Sequence, residues 1–163
     1  MTILEFALQM EKDGKAYYEI LAAEAQHPGL QTIFSQLAED EQKHYELFEK
    51  MINNSDNLDM QDTAALATAQ NIFSELLAKK EGFKGTAESL AAYQHAMTLE
   101  AESVRLYQQA ADEETDLKKK NLLQKIAAEE QKHFNILENI YLFISAAEQY
   151  PAWAESGRGD ETR

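Results

Sequence analysis

The chain has 163 residues, a formal net charge of -14 and no cysteine. Its length suits one domain that buries about two thirds of its unfolded surface, and its acidity argues against a nucleic-acid or anionic-membrane partner. Without cysteine these residues form no disulfide, thiolate site or iron-sulfur ligand set, which leaves carboxylate and imidazole chemistry.

Helix-forming residues abound, while Pro stands only at 28 and 151, so an all-α fold is expected. Thr2 and Glu5 predict a capping box at the start of the first helix. Its apolar stripe is Ile3, Phe6 or Ala7, Met10, Gly14, Tyr17 or Tyr18, Leu21 and Ala25, with Glu11 at the edge. His27-Pro28-Gly29 should end it. A second helix is predicted from about Leu30 to Ile52, with Glu41 and His44 taking two central places in its stripe. Burying a carboxylate and an imidazole without partners is costly. If that stripe faces a core, they must meet each other, other polar groups or a metal.

Asn53 to Met60 reads as a polar connection, followed by a shorter helix capped by Asp62 or Thr63 and ended by Lys79-Lys80-Glu81-Gly82. Thr86 should cap the third main helix, whose stripe runs through Leu90, Tyr93, Glu100 and Tyr107. After a break near Asp112 to Asp116, the fourth carries Ile126, Glu130, His133, Leu137 and Ile140. Residues 1–150 thus read as one bundle domain of four long helices with two hairpins and a helix-containing crossover. Residues 151–163 read as a partly disordered extension in which Trp153 could dock. The charges at Glu5, Glu11, Lys12 and Asp13 break any signal-like apolar run, and no stretch approaches the ~18 apolar residues of a membrane span. The expectation is a cytoplasmic protein.

Leu37 to His44 has a near copy in Ile126 to His133, and Glu11, Glu41 and His44 are each followed 89 residues later by Glu100, Glu130 and His133. Within each copy, Glu and His three residues apart share a helix face. Either pair alone is ordinary helix surface, but six residues with one offset point to a mid-bundle centre for two metal ions. Four carboxylates and two imidazoles suit iron or manganese, with zinc or copper competing. Tyr18 and Tyr107, seven residues after Glu11 and Glu100, fall on the same face as core tyrosines able to donate to the site. Tyr17 reads as packing, His27 as a cap or surface group, His95 as off-stripe, Met10 and Met97 as core filler, and Lys118-Lys119-Lys120 as solvated surface.

The order Glu, Glu-x-x-His, Glu, Glu-x-x-His resembles the ferritin-like di-iron carboxylate proteins, and within them the rubrerythrin family, over about residues 1 to 150. The resemblance implies a di-iron centre held by Glu11, Glu41, His44, Glu100, Glu130 and His133, with Tyr18 and Tyr107 hydrogen-bonded beside it and manganese or zinc as substitutes. It implies a non-haem oxidoreductase that reduces hydrogen peroxide, or dioxygen, in a homodimer. Full-length rubrerythrins also carry a four-cysteine rubredoxin-type iron site, which these residues cannot form, so an external electron-donor protein is expected. Ser103 stands one turn after Glu100 where the family has a further glutamate, and Glu102 lies on another face. The alternative is a bacterioferritin-like ferroxidase or iron store, although Gln42 replaces the methionine that can ligate haem in such cages. A metal-free helical interaction module is the third class.

Overall fold

The computed structural model describes residues 1–79 and 87–149. Among the described residues, five helices run in the order α1 (Ile3–Glu24), α2 (Pro28–Ile52), α3 (Ala65–Lys79), α4 (Ala87–Glu113) and α5 (Leu117–Gln149). The architecture is the expected ferritin-like four-helix bundle. Two long hairpins, α1 with α2 and α4 with α5, pack together, and α3 lies in the crossover against α2 and α5. Among the described residues, no helix is long and apolar enough to cross a membrane.

Local chemistry sets the boundaries. The Thr2 hydroxyl accepts from the Glu5 amide, and the Glu5 carboxylate accepts from the Thr2 amide, both at 3.2 Å. This is the expected capping box. The second helix begins at Pro28, ahead of the expected Leu30. Proline fits the first turn because its missing N–H would have no helical partner there, and His27 Nδ1 accepts from the Gly29 amide at 2.9 Å as the cap. At Gly29 a Cβ would come within 2.7 Å of Ile72 Cγ2, so glycine lets the crossover helix lie against the start of α2. The Thr63 hydroxyl accepts from the Ala65 amide at 3.0 Å where α3 begins, and Asp116 accepts from the Lys118 amide at 2.9 Å where α5 begins. The expected cap Thr86, the stop at residues 80–82 and the extension at 151–163 with Trp153 lie outside the described residues.

Apolar side chains fill the bundle as two clusters. One contains Ile33, Phe34, Leu37, Leu137, Ile140 and Ile144; the other contains Leu47, Phe48, Met51, Leu122, Leu123 and Ile126. On α2 the polar pair Glu41 and His44 falls between Leu37 and Leu47, and on α5 Glu130 and His133 fall between Ile126 and Ile136. A polar layer is thus sandwiched between two apolar ones. On α1 the buried face passes through Ala7, Glu11 and Tyr18, while Phe6 is 49 % exposed and Met10 only partly buried. Glu11 therefore sits at the centre of that face rather than at its edge, a correction that follows from the carboxylate having partners inside.

Candidate metal centre

Each of the four long helices contributes to the polar layer: Glu11 from α1, Glu41 and His44 from α2, Glu100 from α4, Glu130 and His133 from α5. None is more than 4 % exposed. The six divide into two overlapping groups, Glu11, Glu41, His44 and Glu130 on one side and Glu41, Glu100, Glu130 and His133 on the other. In each, one donor atom per residue lies within 4.8 Å of all the others. Glu41 and Glu130 belong to both groups. That overlap suits two cations sharing two central carboxylates, each completed by one further Glu and one His.

The histidines are oriented alike. His44 Nδ1 faces inward, 2.8 Å from Glu130 Oε1 and 3.5 Å from Glu11 Oε2. His133 Nδ1 lies 3.0 Å from Glu41 Oε1 and 3.4 Å from both Glu100 Oε1 and Glu130 Oε2. The two rings face each other at 6.0 Å, 22° from parallel. Each outward Nε2 meets a carboxylate of the opposite hairpin, Glu129 Oε1 at 2.7 Å for His44 and Asp40 Oδ2 at 3.0 Å for His133. The tyrosines cross in the same way. Tyr107 donates to Glu11 Oε1 at 2.8 Å, and Tyr18 donates to Glu100 Oε1. These reciprocal contacts express the duplicated hairpin as an approximate twofold axis through the site.

Four carboxylates this close cannot all ionise without compensating positive charge. Burial, reinforced by Glu130, pushes the Glu100 carboxyl up to about 8, and burial with the neighbouring Glu11, Glu130 and Glu100 raises Glu41 well above its usual range. For Glu11, burial opposes ionisation, but His44 and nearby hydrogen bonds more than offset it and the carboxyl falls below its ordinary value. Glu130 is also lowered, because hydrogen bonds and His44 overcome burial and its neighbour Glu11. Burial likewise opposes charge on the imidazoles, yet Glu11 and Glu130 raise His44 and Glu100 and Asp40 raise His133. Without cations the cluster is therefore held together by protons. Burial and the adjacent carboxylates keep both tyrosine hydroxyls protonated.

Whether this chemistry suits metal can be judged from its unmet valences. Glu11 Oε2, Glu41 Oε1, Glu100 Oε2, Glu130 Oε2 and His133 Nδ1 are buried without an aligned hydrogen bond, although His133 Nδ1 lies 3.0 Å from Glu41 Oε1. Buried polar atoms are nearly always bonded, and here five lone-pair donors of the right type converge. The donor set fits a di-iron centre. A further constraint comes from Gly14, where a Cβ would stand 2.9 Å from Glu41 Oε2. Beside it, a cavity of about 100 Å³ between α1 and α4 reaches Glu41 and Glu100 past Tyr17, Tyr18 and Ser103. Ser103 is buried, with its hydroxyl turned back to the Leu99 carbonyl at 3.0 Å, while Glu102 is exposed.

All six expected ligand candidates and both tyrosines thus converge. The sequence reading did not single out Asp40 and Glu129, although they too are separated by 89 residues and adjoin the two Glu-x-x-His motifs. Thr63 was foreseen only as a cap, yet its amide donates to Glu129 Oε2 at 2.8 Å and its hydroxyl to Asp40 Oδ2. Tyr17 does more than pack, since its hydroxyl donates to the Ala92 carbonyl at 2.8 Å across α1 and α4. His95 is exposed and contacts Tyr17 edge-on at 5.5 Å.

In a comparison with protein families, residues 2–141 match the model described as Rubrerythrin. Comparison with curated proteins and with solved structures gave no match.

Proposed function

The chain belongs to the rubrerythrin family, and on that premise we propose that it reduces hydrogen peroxide to water at a di-iron centre with electrons from an external donor. Its class is that of a di-iron oxidoreductase, given by the family together with the two Glu/His groups. The observation that carries the reading is the sharing of Glu41 and Glu130 between those groups, since paired ions suit a two-electron reduction. In the proposed assignment Glu11, Glu41, His44 and Glu130 would hold one ion and Glu41, Glu100, Glu130 and His133 the other.

When bound, the two irons supply the electrons and Lewis acidity that cleavage of an O–O bond requires. The chain supplies the geometry. The Tyr107 and Tyr18 hydroxyls fix the outer carboxylates Glu11 and Glu100 across the bundle, leaving their second oxygens for ligation. The apolar clusters on both sides keep bulk water out of the layer. The cavity beside Gly14 and Ser103 has room for a molecule the size of peroxide. Each turnover consumes one peroxide, two electrons and two protons and yields two waters. Because no cysteine is present in the 163 residues, the electrons come from outside them, and a homodimer is the proposed assembly.

Anaerobic titration of the ferrous-loaded protein with peroxide tests the reading. Consumption of one peroxide per iron pair, repeatable after chemical reduction, is expected. Iron oxidation by peroxide no faster than that of free ferrous ion would overturn it. The ferroxidase or iron-storage alternative instead predicts continued uptake of many irons per chain into an assembly much larger than a dimer.

A further inference from the structure

We propose that Thr63, in the connection between α2 and α3, is a positioning residue for the metal centre: one residue clasps the outward sides of both site histidines through Asp40 and Glu129. The inference rests on the ligand roles assigned above to His44 and His133.

Asp40 and Glu129 are 2 % and 5 % exposed and lie on opposite hairpins. Asp40 of α2 holds His133 of α5, and Glu129 of α5 holds His44 of α2. Such contacts matter to a metal site because an imidazole whose outer N–H is tied to a carboxylate presents its other nitrogen as a fixed, more basic lone pair. Here the outer atom is Nε2 in both rings, so the inward donor is Nδ1.

A carboxylate can orient a ring only if it is held itself. Thr63 does this for both. Its amide donates to Glu129 Oε2 at 2.8 Å, leaving Oε1 for His44. Its hydroxyl accepts from the Ala65 amide at 3.0 Å and spends its single proton on Asp40 Oδ2, the oxygen that also meets His133. The bond from Ala65 fixes the direction of that proton. The hairpins are duplicated but the crossover between them occurs once, so Thr63 ties the two copies together from outside the repeat. It also links the start of α3 to the alignment of both imidazoles.

The two halves of the clasp are chemically different, and this gives a specific test. Thr63→Val keeps the shape and the amide bond to Glu129 but removes the hydroxyl bond to Asp40, so it should disturb His133 and spare His44. Thr63→Ser should restore the wild-type behaviour. Asp40→Asn is a second route to the His133 effect should the valine variant fold poorly, and circular dichroism of each metal-free variant checks the fold. Diamagnetic zinc serves as the probe in the full chain, followed by calorimetry and by nitrogen-proton NMR of the histidine rings.

In wild type, zinc should shift both Nδ1 resonances while both Nε2 protons stay slow to exchange. In Thr63→Val, the His133 Nε2 proton should shift and exchange faster, and one of the two zinc-binding steps should weaken by about tenfold or more. Unchanged His133 signals in Thr63→Val and Asp40→Asn, equal disturbance of both rings in Thr63→Val, or failure of Thr63→Ser to rescue would each overturn the clasp while leaving the ligand assignment standing. Absence of any Nδ1 shift in wild type would instead remove the ligand assignment and the clasp with it.

Discussion

Gly14 illustrates how little room the centre leaves at a single residue. A methyl group there would press on Glu41 Oε2, an atom of a carboxylate shared by both ligand groups. Gly14→Ala should favour the helix by up to ~1 kcal/mol on propensity alone, yet lower iron occupancy, measured by metal analysis after anaerobic loading; full occupancy would show that Glu41 can shift without loss. Tyr107→Phe removes the donor to Glu11 Oε1 and should weaken metal binding by about tenfold with little change in the folded spectrum. The six ligand candidates were legible because one offset repeats three times. Asp40 and Glu129 share it but were hidden among 29 acidic residues. Thr63 carried no readable signal beyond capping, since its partners lie 23 and 66 positions away in the chain.

The protons that would hold the cluster together in metal-free protein also give a pH dependence at this scale. Glu41 and Glu100 have folded pKa values raised above the ordinary 4.5, with Glu100 at about 8, and His44 and His133 are raised above 6.5. A raised group stabilises the fold below its unfolded pKa and loses that contribution as pH rises through the folded value. The lowered Glu11 and Glu130 act oppositely, losing theirs as pH falls through their folded values. The metal-free protein should therefore melt at a lower temperature near pH 9 than near pH 6. An equal or higher melting temperature at the alkaline pH would contradict this charge arrangement.

Helices depend on faces, and the faces differ in how plainly the sequence marks them. On α2 and α5 large apolar residues flank the polar pair, so the stripe was clear. On α1, Phe6 and Met10 suggested a phase that Ala7 and Glu11 in fact occupy. Size and hydrophobicity favour Phe and Met for burial, but a carboxylate with buried partners reverses that preference. Pro28 similarly looked like the end of one helix because its role in starting the next depends on the His27 cap. Phe48 is fully buried and packs on Tyr107 with ring centroids 5.0 Å apart. Phe48→Ala should cost about 3–5 kcal/mol in a denaturant melt and loosen the donor to Glu11 as well, whereas a loss below ~1 kcal/mol would show that this cluster readily collapses.

At the scale of the whole molecule, the bundle is built around a buried layer of carboxylates and imidazoles in which cations would compete with protons. Ions that bind the folded chain and not the unfolded one raise stability by mass action, so ferrous loading should raise the melting temperature and flatten its alkaline decline. The duplication made this architecture legible: two hairpins with the same Glu, Glu-x-x-His order must place their polar layers at one level. The crossover interrupts that symmetry and could not be inferred from it, which is why the attachment of Thr63 to the centre emerges only in three dimensions. The central claim is that one chain binds two ions sharing Glu41 and Glu130. Anaerobic equilibrium dialysis against ferrous ion measures it most directly: the account predicts saturation at two irons per chain in wild type, and saturation at one, or none, would contradict it.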